Sequence, residues 1–246
     1  MYTTIDEFKR WGIVAGYTSA GGGYWRYFPS EDIANYESLG EAFKITPDQM
    51  VRVHQTHSAK VFCADRSHGG MGVCRNGDGQ DYDGLITDER GLMLTIVTAD
   101  CVPLFLFDPI KRVIALVHSG RIGTFLEIAA EAVRKMQEVY GTDPLDLCCV
   151  LGPHMCTEHH VIQKKDVEAL SREGSATEPI PWISMEKSGN CHVDMGAGIV
   201  ASLESTGVKK ENIVDQHICT YERADLYSWR RDHLREKRNL SFMMIP

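Results

Sequence analysis

Leu92-Met93-Leu94-Thr95-Ile96-Val97-Thr98-Ala99-Asp100-Cys101-Val102-Pro103-Leu104-Phe105-Leu106-Phe107, with Val113-Ile114-Ala115-Leu116-Val117 close behind, decides the fold class. Leu92–Val97, Leu104–Phe107 and Val113–Val117 carry no charge and abound in β-branched and aromatic side chains, as buried strands do. They follow one another with no room for a crossover helix, so the chain is not a regular βαβαβ alternation. Outward from them, strand signals recur at Ile13–Thr18, Met50–His54, Lys60–Cys63, Gly84–Thr87, Leu147–Leu151, Cys191–Asp194, Asn212–Asp215 and Leu240–Met244. Phe125, Ile128, Ala129, Ala132, Val133 and Met136 recur at helical spacing and predict a helix over Thr124–Tyr140, with Gly141 as its stop. Weaker helices fit Lys164–Arg172 and Gly196–Thr206. No repeat or linker divides residues 1–246, which read as one α+β domain.

The chain has 246 residues, 43% hydrophobic and 24% charged, which is ordinary for a globular protein with a sizeable core. A formal charge of −8 argues against a nucleic-acid partner held by phosphate-backbone electrostatics. No apolar run approaches a membrane span, and the polar start Met1–Arg10 lacks a secretory signal. A cytoplasmic location is expected, with the eight cysteines mostly thiols. Asp65–Asp83 is rich in glycine and charge, and reads as a surface loop that is either plainly solvated or a lid. Gly21-Gly22-Gly23 reads as a tight turn, since no Gly-Lys-Ser/Thr follows it.

His57, Cys101 and His118 each stand where an apolar run ends and a loop begins. A thiolate and two imidazoles suit one tetrahedral metal with a fourth position open, as in catalytic zinc. Ligands about 2.0–2.3 Å from one ion stand within about 4 Å of each other, so the three donors are expected to converge. Without metal, Cys101 beside His118 could be an activated nucleophile. His154 and His159-His160 could hold further metal, or simply lie in a solvated loop.

Several segments, in order, resemble the laccase-domain family, also called multicopper polyphenol oxidase-like or YfiH-like. His54-Gln55-Thr56-His57-Ser58 is similar to its His-Gln-x-His-Gly, and Asp81-Tyr82-Asp83-Gly84-Leu85-Ile86-Thr87 to its Asp-x-Asp segment. Thr98-Ala99-Asp100-Cys101-Val102-Pro103 resembles Thr-Ala-Asp-Cys-x-Pro. His118-Ser119-Gly120-Arg121-Ile122-Gly123-Thr124 resembles a variant of His-Ala-Gly-Trp-Arg-Gly-Thr. Leu151-Gly152-Pro153, Cys219-Thr220 and Ser228-Trp229-Arg230-Arg231-Asp232 resemble the remaining motifs.

The resemblance implies a mixed-sheet α/β sandwich related to toxin deamidase domains. It implies metal ligands His57, Cys101 and His118, with zinc the usual metal and copper the older alternative. It also implies phosphorolysis of adenosine, inosine or methylthioadenosine, with adenosine deamination alongside. Polyphenol oxidation is the family's older label, and peptidoglycan precursor editing is linked to some members; a non-enzymatic metal-binding domain is the contrasting class. Nucleoside and phosphate are then the expected partners. Cys101, His118 and Asp83 become candidate catalytic residues, with Asp83 and Asp100 either proton carriers or ligand-orienting groups. Gln55, Arg121 and Arg230 become candidate substrate-binding residues, with Arg231 a further anion clamp. The family's Trp-Arg is here Arg121-Ile122, its Gly-Pro-Cys cysteine is His154, and its N-terminal arginine is replaced in Thr18-Ser19-Ala20-Gly21-Gly22, so Arg121 carries the expected anion binding.

Overall fold

The computed structural model describes residues 2–22, 25, 33–173, 180–234 and 236–246. In chain order the strands and helices begin with β1 (Tyr2–Thr4), β2 (Val14–Thr18), α1 (Ile33–Phe43), β3 (Met50–Arg52), β4 (Val61–Cys63) and β5 (Gly84–Thr87). Next come β6 (Met93–Thr98), β7 (Val102–Asp108), β8 (Val113–Ser119), α2 (Arg121–Phe125), α3 (Ile128–Tyr140) and β9 (Cys148–Leu151). The chain closes with β10 (Val161–Gln163), α4 (Lys164–Glu173), β11 (Ile183–Met185), β12 (Asn190–Val193), α5 (Met195–Ser205), β13 (Ile213–Asp215), α6 (Trp229–Asp232) and β14 (Asn239–Met244).

A five-stranded sheet runs β1-β2-β14-β6-β3 and a six-stranded one β13-β9-β7-β8-β5-β4, with a small β10-β12-β11 sheet beside them. Both large sheets are mixed: β3–β6, β4–β5 and β9–β13 are parallel pairs, while β7–β8 and β6–β14 are antiparallel. The uncharged strands are explained by what covers them. Along β7, Val102, Leu104 and Leu106 face one cluster with Ala129, Ala132 and Val133 of α3 and Ile199 of α5. Phe105 and Phe107 face the other way, onto Leu94 and Ile96 of β6. Strand β8 splits likewise, with Val113, Ala115 and Val117 toward the helices and Ile114 and Leu116 between the sheets. The outer face of the five-stranded sheet offers Met93, Leu240 and Phe242 to Trp25 and to Tyr36 and Leu39 of α1. The layers are therefore helix, sheet, sheet, helices, and strands buried on both faces lose the alternation that half-exposed strands show.

The expected long helix is two. Leu126 closes α2 by bonding to Ile122 O, and Glu127 takes φ 56° before α3 begins. Apolar spacing continues across this break because both helices pack on the same core. Helices α1 and α6 and strands β1, β10 and β11 escaped sequence reading. Gly40 lies within α1 where a Cβ would collide with Ile45 O, and it weakens the helical signal, while β1 and β11 are largely exposed.

Neither a free loop nor a lid describes Asp65–Asp83. Met71 and Val73 are buried, Arg52 donates its N–H to Met71 O, and the Arg75 guanidinium binds the carbonyls of Ser67 and Gly69. The segment is fastened to the β3 side of the molecule. Ala20–Gly22 forms a single 3₁₀ turn, and Gly23 lies outside the described residues. All eight cysteines are free thiols.

Candidate functional site

Cys101 occupies the tight connection between β6 and β7, which belong to different sheets. The preceding Asp100 takes φ 84°, a left-handed conformation that an ordinary side chain adopts only under constraint. The constraint is visible: Asp100 accepts hydrogen bonds from Thr220 Oγ1 (2.6 Å) and the Arg230 amide (2.7 Å), while Met155 N–H bonds its carbonyl at 3.0 Å. Asp100 is thus spent on positioning.

His57 also has positive φ, 64°, and here the bracket is Asp83. This carboxylate is fully buried and accepts the N–H groups of Thr56, His57 and Ser58, the Ser58 hydroxyl and His118 Nδ1. Burial alone would raise its pKa, but the His118 hydrogen bond and charge, with the Ser58 bonds, bring it below the usual carboxylate value. Asp83 does not line the cavity, and its bonds to His57 and His118 favour the expected ligand-orienting role over that of proton carrier.

His118 ends β8, with its ring nearly enclosed. Because Nδ1 meets Asp83 at 2.7 Å, Nε2 is left for the site, the usual orientation of a metal-ligating imidazole. Cys101 Sγ and His57 Nε2 stand 3.8 Å apart, and one donor atom from each of His57, Cys101 and His118 lies within 4.8 Å of the others. A tetrahedral ion with ligands at about 2.0–2.3 Å needs donor separations near 4 Å, so a small inward adjustment satisfies it. Gly120 makes the convergence possible: a Cβ there would stand 2.6 Å from His57 Cδ2 and 2.9 Å from Cys101 Sγ. Burial resists charge on both groups of the protein alone. The His118 and His57 interactions nonetheless bring the Cys101 thiol down to about 6, while Cys101 and Asp83 bring His118 up to about 9. Thiolate and imidazolium are mutually stabilised, and the thiolate form suits both metal ligation and nucleophilic attack.

A cavity of about 340 Å³ opens onto this trio. Arg121, Arg230 and Arg238 line it together with Met155, Met195 and Trp229. Arg230 Nη1 is anchored on the carbonyls of His159 and Val161, both at 3.1 Å. Arg121 begins α2 and keeps a buried Nε without a hydrogen-bond partner among the described residues. Gln55 reaches the cavity wall, and its amide bonds both the N–H and the C=O of Val97 at 2.8 Å, which braces β6 and leaves one amide N–H and one oxygen lone pair outside that pairing. Arg231 is likewise removed from the anion clamp: it pairs with Asp232 and donates to the carbonyls of Thr220, Tyr221, Arg223 and Leu226.

His160 is the cavity residue whose role the sequence concealed. It is 4% exposed, its Nδ1 has no partner among the described residues, and burial followed by the charges of Arg121 and Arg230 holds its pKa down at about 3. It is a neutral hydrogen-bonding group. His154 does not share in a metal site with it, since its Nδ1 meets Gly152 O at 2.8 Å and its ring lies beside Asp215.

The chain is similar to known proteins in sequence and in fold. A relative from Streptomyces coelicolor, "Purine nucleoside phosphorylase SCO2081", is 34% identical over 204 residues, covering 83% of this chain and 78% of that protein. "Purine nucleoside phosphorylase YlmD" of Bacillus subtilis is 26% identical over 94% of this chain and 88% of its own length. The crystal structure of YlmD from Geobacillus stearothermophilus superposes with a TM-score of 0.86 at 25% identity, covering 98% of this chain and 94% of that one. The Bacillus licheniformis hypothetical protein YfiH, at 24% identity, shares the fold with a TM-score of 0.89 over 100% of this chain and 96% of its own. With residues 29–246 matching its description, the chain belongs to the multi-copper polyphenol oxidoreductase laccase family.

Proposed function

We propose that the chain is a metal-dependent purine nucleoside phosphorylase acting in the cavity above His57, Cys101 and His118, with zinc as the metal. The observation that carries this reading is the meeting of a thiolate–imidazole trio with Arg121 and Arg230 in one cavity. Relatives named purine nucleoside phosphorylase support it. The donor set suits zinc, which when bound would supply Lewis-acid polarisation of a substrate oxygen or nitrogen.

The remaining work falls to the chain. Arg121 and Arg230 hold phosphate beside the ribose, where its oxygen forms a bond to C1′ as the bond from C1′ to the purine breaks. The purine leaves with the bonding pair and takes up a proton. Trp229, aromatic and 46% exposed at the cavity edge, offers a face for the base, and neutral His160 a hydrogen bond to the substrate. The products are pentose 1-phosphate and free purine, from adenosine, inosine or methylthioadenosine.

Adenosine deamination is the weaker activity in this reading. It requires an acid/base partner for the attacking water. Among the described lining residues the carboxylate is Asp100, whose two oxygens are already engaged. Polyphenol oxidation would need several coppers and more imidazoles than His57, His118 and His160.

The deciding experiment incubates purified protein with adenosine, inosine and methylthioadenosine, with and without phosphate, and follows products by mass spectrometry. Phosphate-dependent release of purine with pentose 1-phosphate, lost on chelation and restored by zinc, is expected. Phosphate-independent turnover would replace phosphorolysis by hydrolysis or deamination.

A further inference from the structure

Two loops behind the cavity share one spacing. Cys156-Thr157-Glu158-His159 and Cys219-Thr220-Tyr221-Glu222 each place a second donor three residues after a thiol. A parallel bridge between His154 and Cys219 sets the loops side by side, with Thr220 N–H on His154 O at 3.0 Å. Two different groups then meet one carboxylate oxygen: Cys156 Sγ lies 3.8 Å from Glu222 Oε1 and His159 Nε2 lies 3.6 Å from it. Donor atoms of Cys156, His159 and Glu222 all fall within 4.8 Å of one another. Behind them, Cys219 Sγ accepts the Cys156 N–H at 3.4 Å.

We propose that Cys156, His159 and Glu222 form a second binding site for a zinc-like divalent cation, separate from the cavity trio. A surface histidine–glutamate pair alone would be a weak ion pair. The thiol converging on the same oxygen gives instead one sulfur, one imidazole nitrogen and one carboxylate, each a regular zinc ligand, and the short ligand spacing is that of zinc sites. Water completes the shell. The His159 ring is steadied by Tyr221, edge-on at 4.1 Å between centroids, and the exposed Glu222 leaves a route for the ion.

Such an ion would fasten together two loops that both reach the cavity. His159 O holds Arg230 Nη1, and Thr220 Oγ1 holds Asp100 beside Cys101. The site is therefore a staple behind the phosphate-binding and thiolate-bearing segments; this consequence, unlike the binding itself, rests on the proposed function.

Cobalt(II) titration of a Cys101→Ser variant, which lacks the cavity thiolate, reads the second site alone. A sulfur-to-cobalt charge-transfer band saturating at one equivalent is expected, lost in Cys101→Ser/Cys156→Ser. No band, or a band that survives loss of Cys156, overturns the proposal. Should Cys101→Ser not fold, equilibrium dialysis of the otherwise intact protein decides. About two zinc ions per chain are expected, falling to about one in the surface variant Glu222→Gln; one per chain in both proteins overturns it. Neither readout depends on nucleoside turnover, so failure here and failure of the phosphorylase reading are distinguishable.

Discussion

Asp83 Oδ1 accepts both His118 Nδ1, at 2.7 Å, and the backbone N–H of His57, at 3.0 Å. One carboxylate therefore orients two proposed ligands that are far apart in the chain. Asp83→Asn keeps the size but removes the charge and can turn an N–H toward the His118 nitrogen. Metal affinity should fall roughly 10- to 100-fold, the usual cost of losing a partner behind a ligand. Competition with a chromophoric chelator measures it, and unchanged affinity would remove Asp83 from this role.

Gly120 gives a second, steric prediction. Its φ of −83° is open to any residue, so Gly120→Ala tests space and not backbone freedom. The added methyl falls against His57 and Cys101 Sγ. Overpacking of this kind costs about 1–3 kcal/mol, and the ligands must spread to relieve it. Lower zinc occupancy by elemental analysis, with a depressed Tm, is expected; full occupancy would show that the trio has slack.

The legible part of this molecule was its chemistry at strand ends. His57, Cys101 and His118 could be read because loops that leave buried strands carry side chains to one rim, and their residue types are metal ligands. Strands β6, β7 and β8 were plain for the same reason of double burial. What stayed hidden depends on long-range pairing. Asp83 read equally as a proton carrier or a ligand-orienting group, since the five donors that favour the second role come from His118 and the 56–58 loop. The bracing of β6 by Gln55 through Val97 was equally out of sight. The Asp65–Asp83 loop has a disordered-looking composition, yet two buried side chains, Met71 and Val73, suffice to fasten it.

His160 supplies a pH prediction. Unfolded, its imidazole takes a proton near 6.5; folded, burial and then Arg121 and Arg230 delay this to about 3. Between those values the unfolded chain binds more protons, so the contribution of His160 to stability is present above about 6.5 and is lost as pH falls toward 3. In His160→Gln that loss disappears. Urea unfolding at pH 7 and pH 4.5 should show the difference between wild type and variant shrinking on the acid side, by up to roughly 1.4 kcal/mol per pH unit. A pH-independent difference would mean that His160 is not held neutral.

Arg121 offers the sharpest test of phosphorolysis, because among the described residues it is a cavity arginine whose buried Nε has no partner. Arg230 is already tied to two carbonyls, whereas Arg121 has donors to give an anion. Losing a charge-assisted hydrogen bond in a shielded site costs about 1.5–3 kcal/mol, or roughly ten- to a hundredfold. Arg121→Ala should therefore raise KM for phosphate by that factor while KM for the nucleoside changes little. Arg121→Lys should restore only part of it, since an ammonium keeps the charge but loses the bidentate fork. A second readout separates electrostatics from damage to α2. Removing the Arg121 charge takes away a cause of the depressed His160 pKa, so its imidazole resonances should titrate at higher pH in Arg121→Ala than in Arg121→Lys. An unchanged phosphate KM with an unchanged His160 titration would place the Arg121 guanidinium outside the cavity's working part.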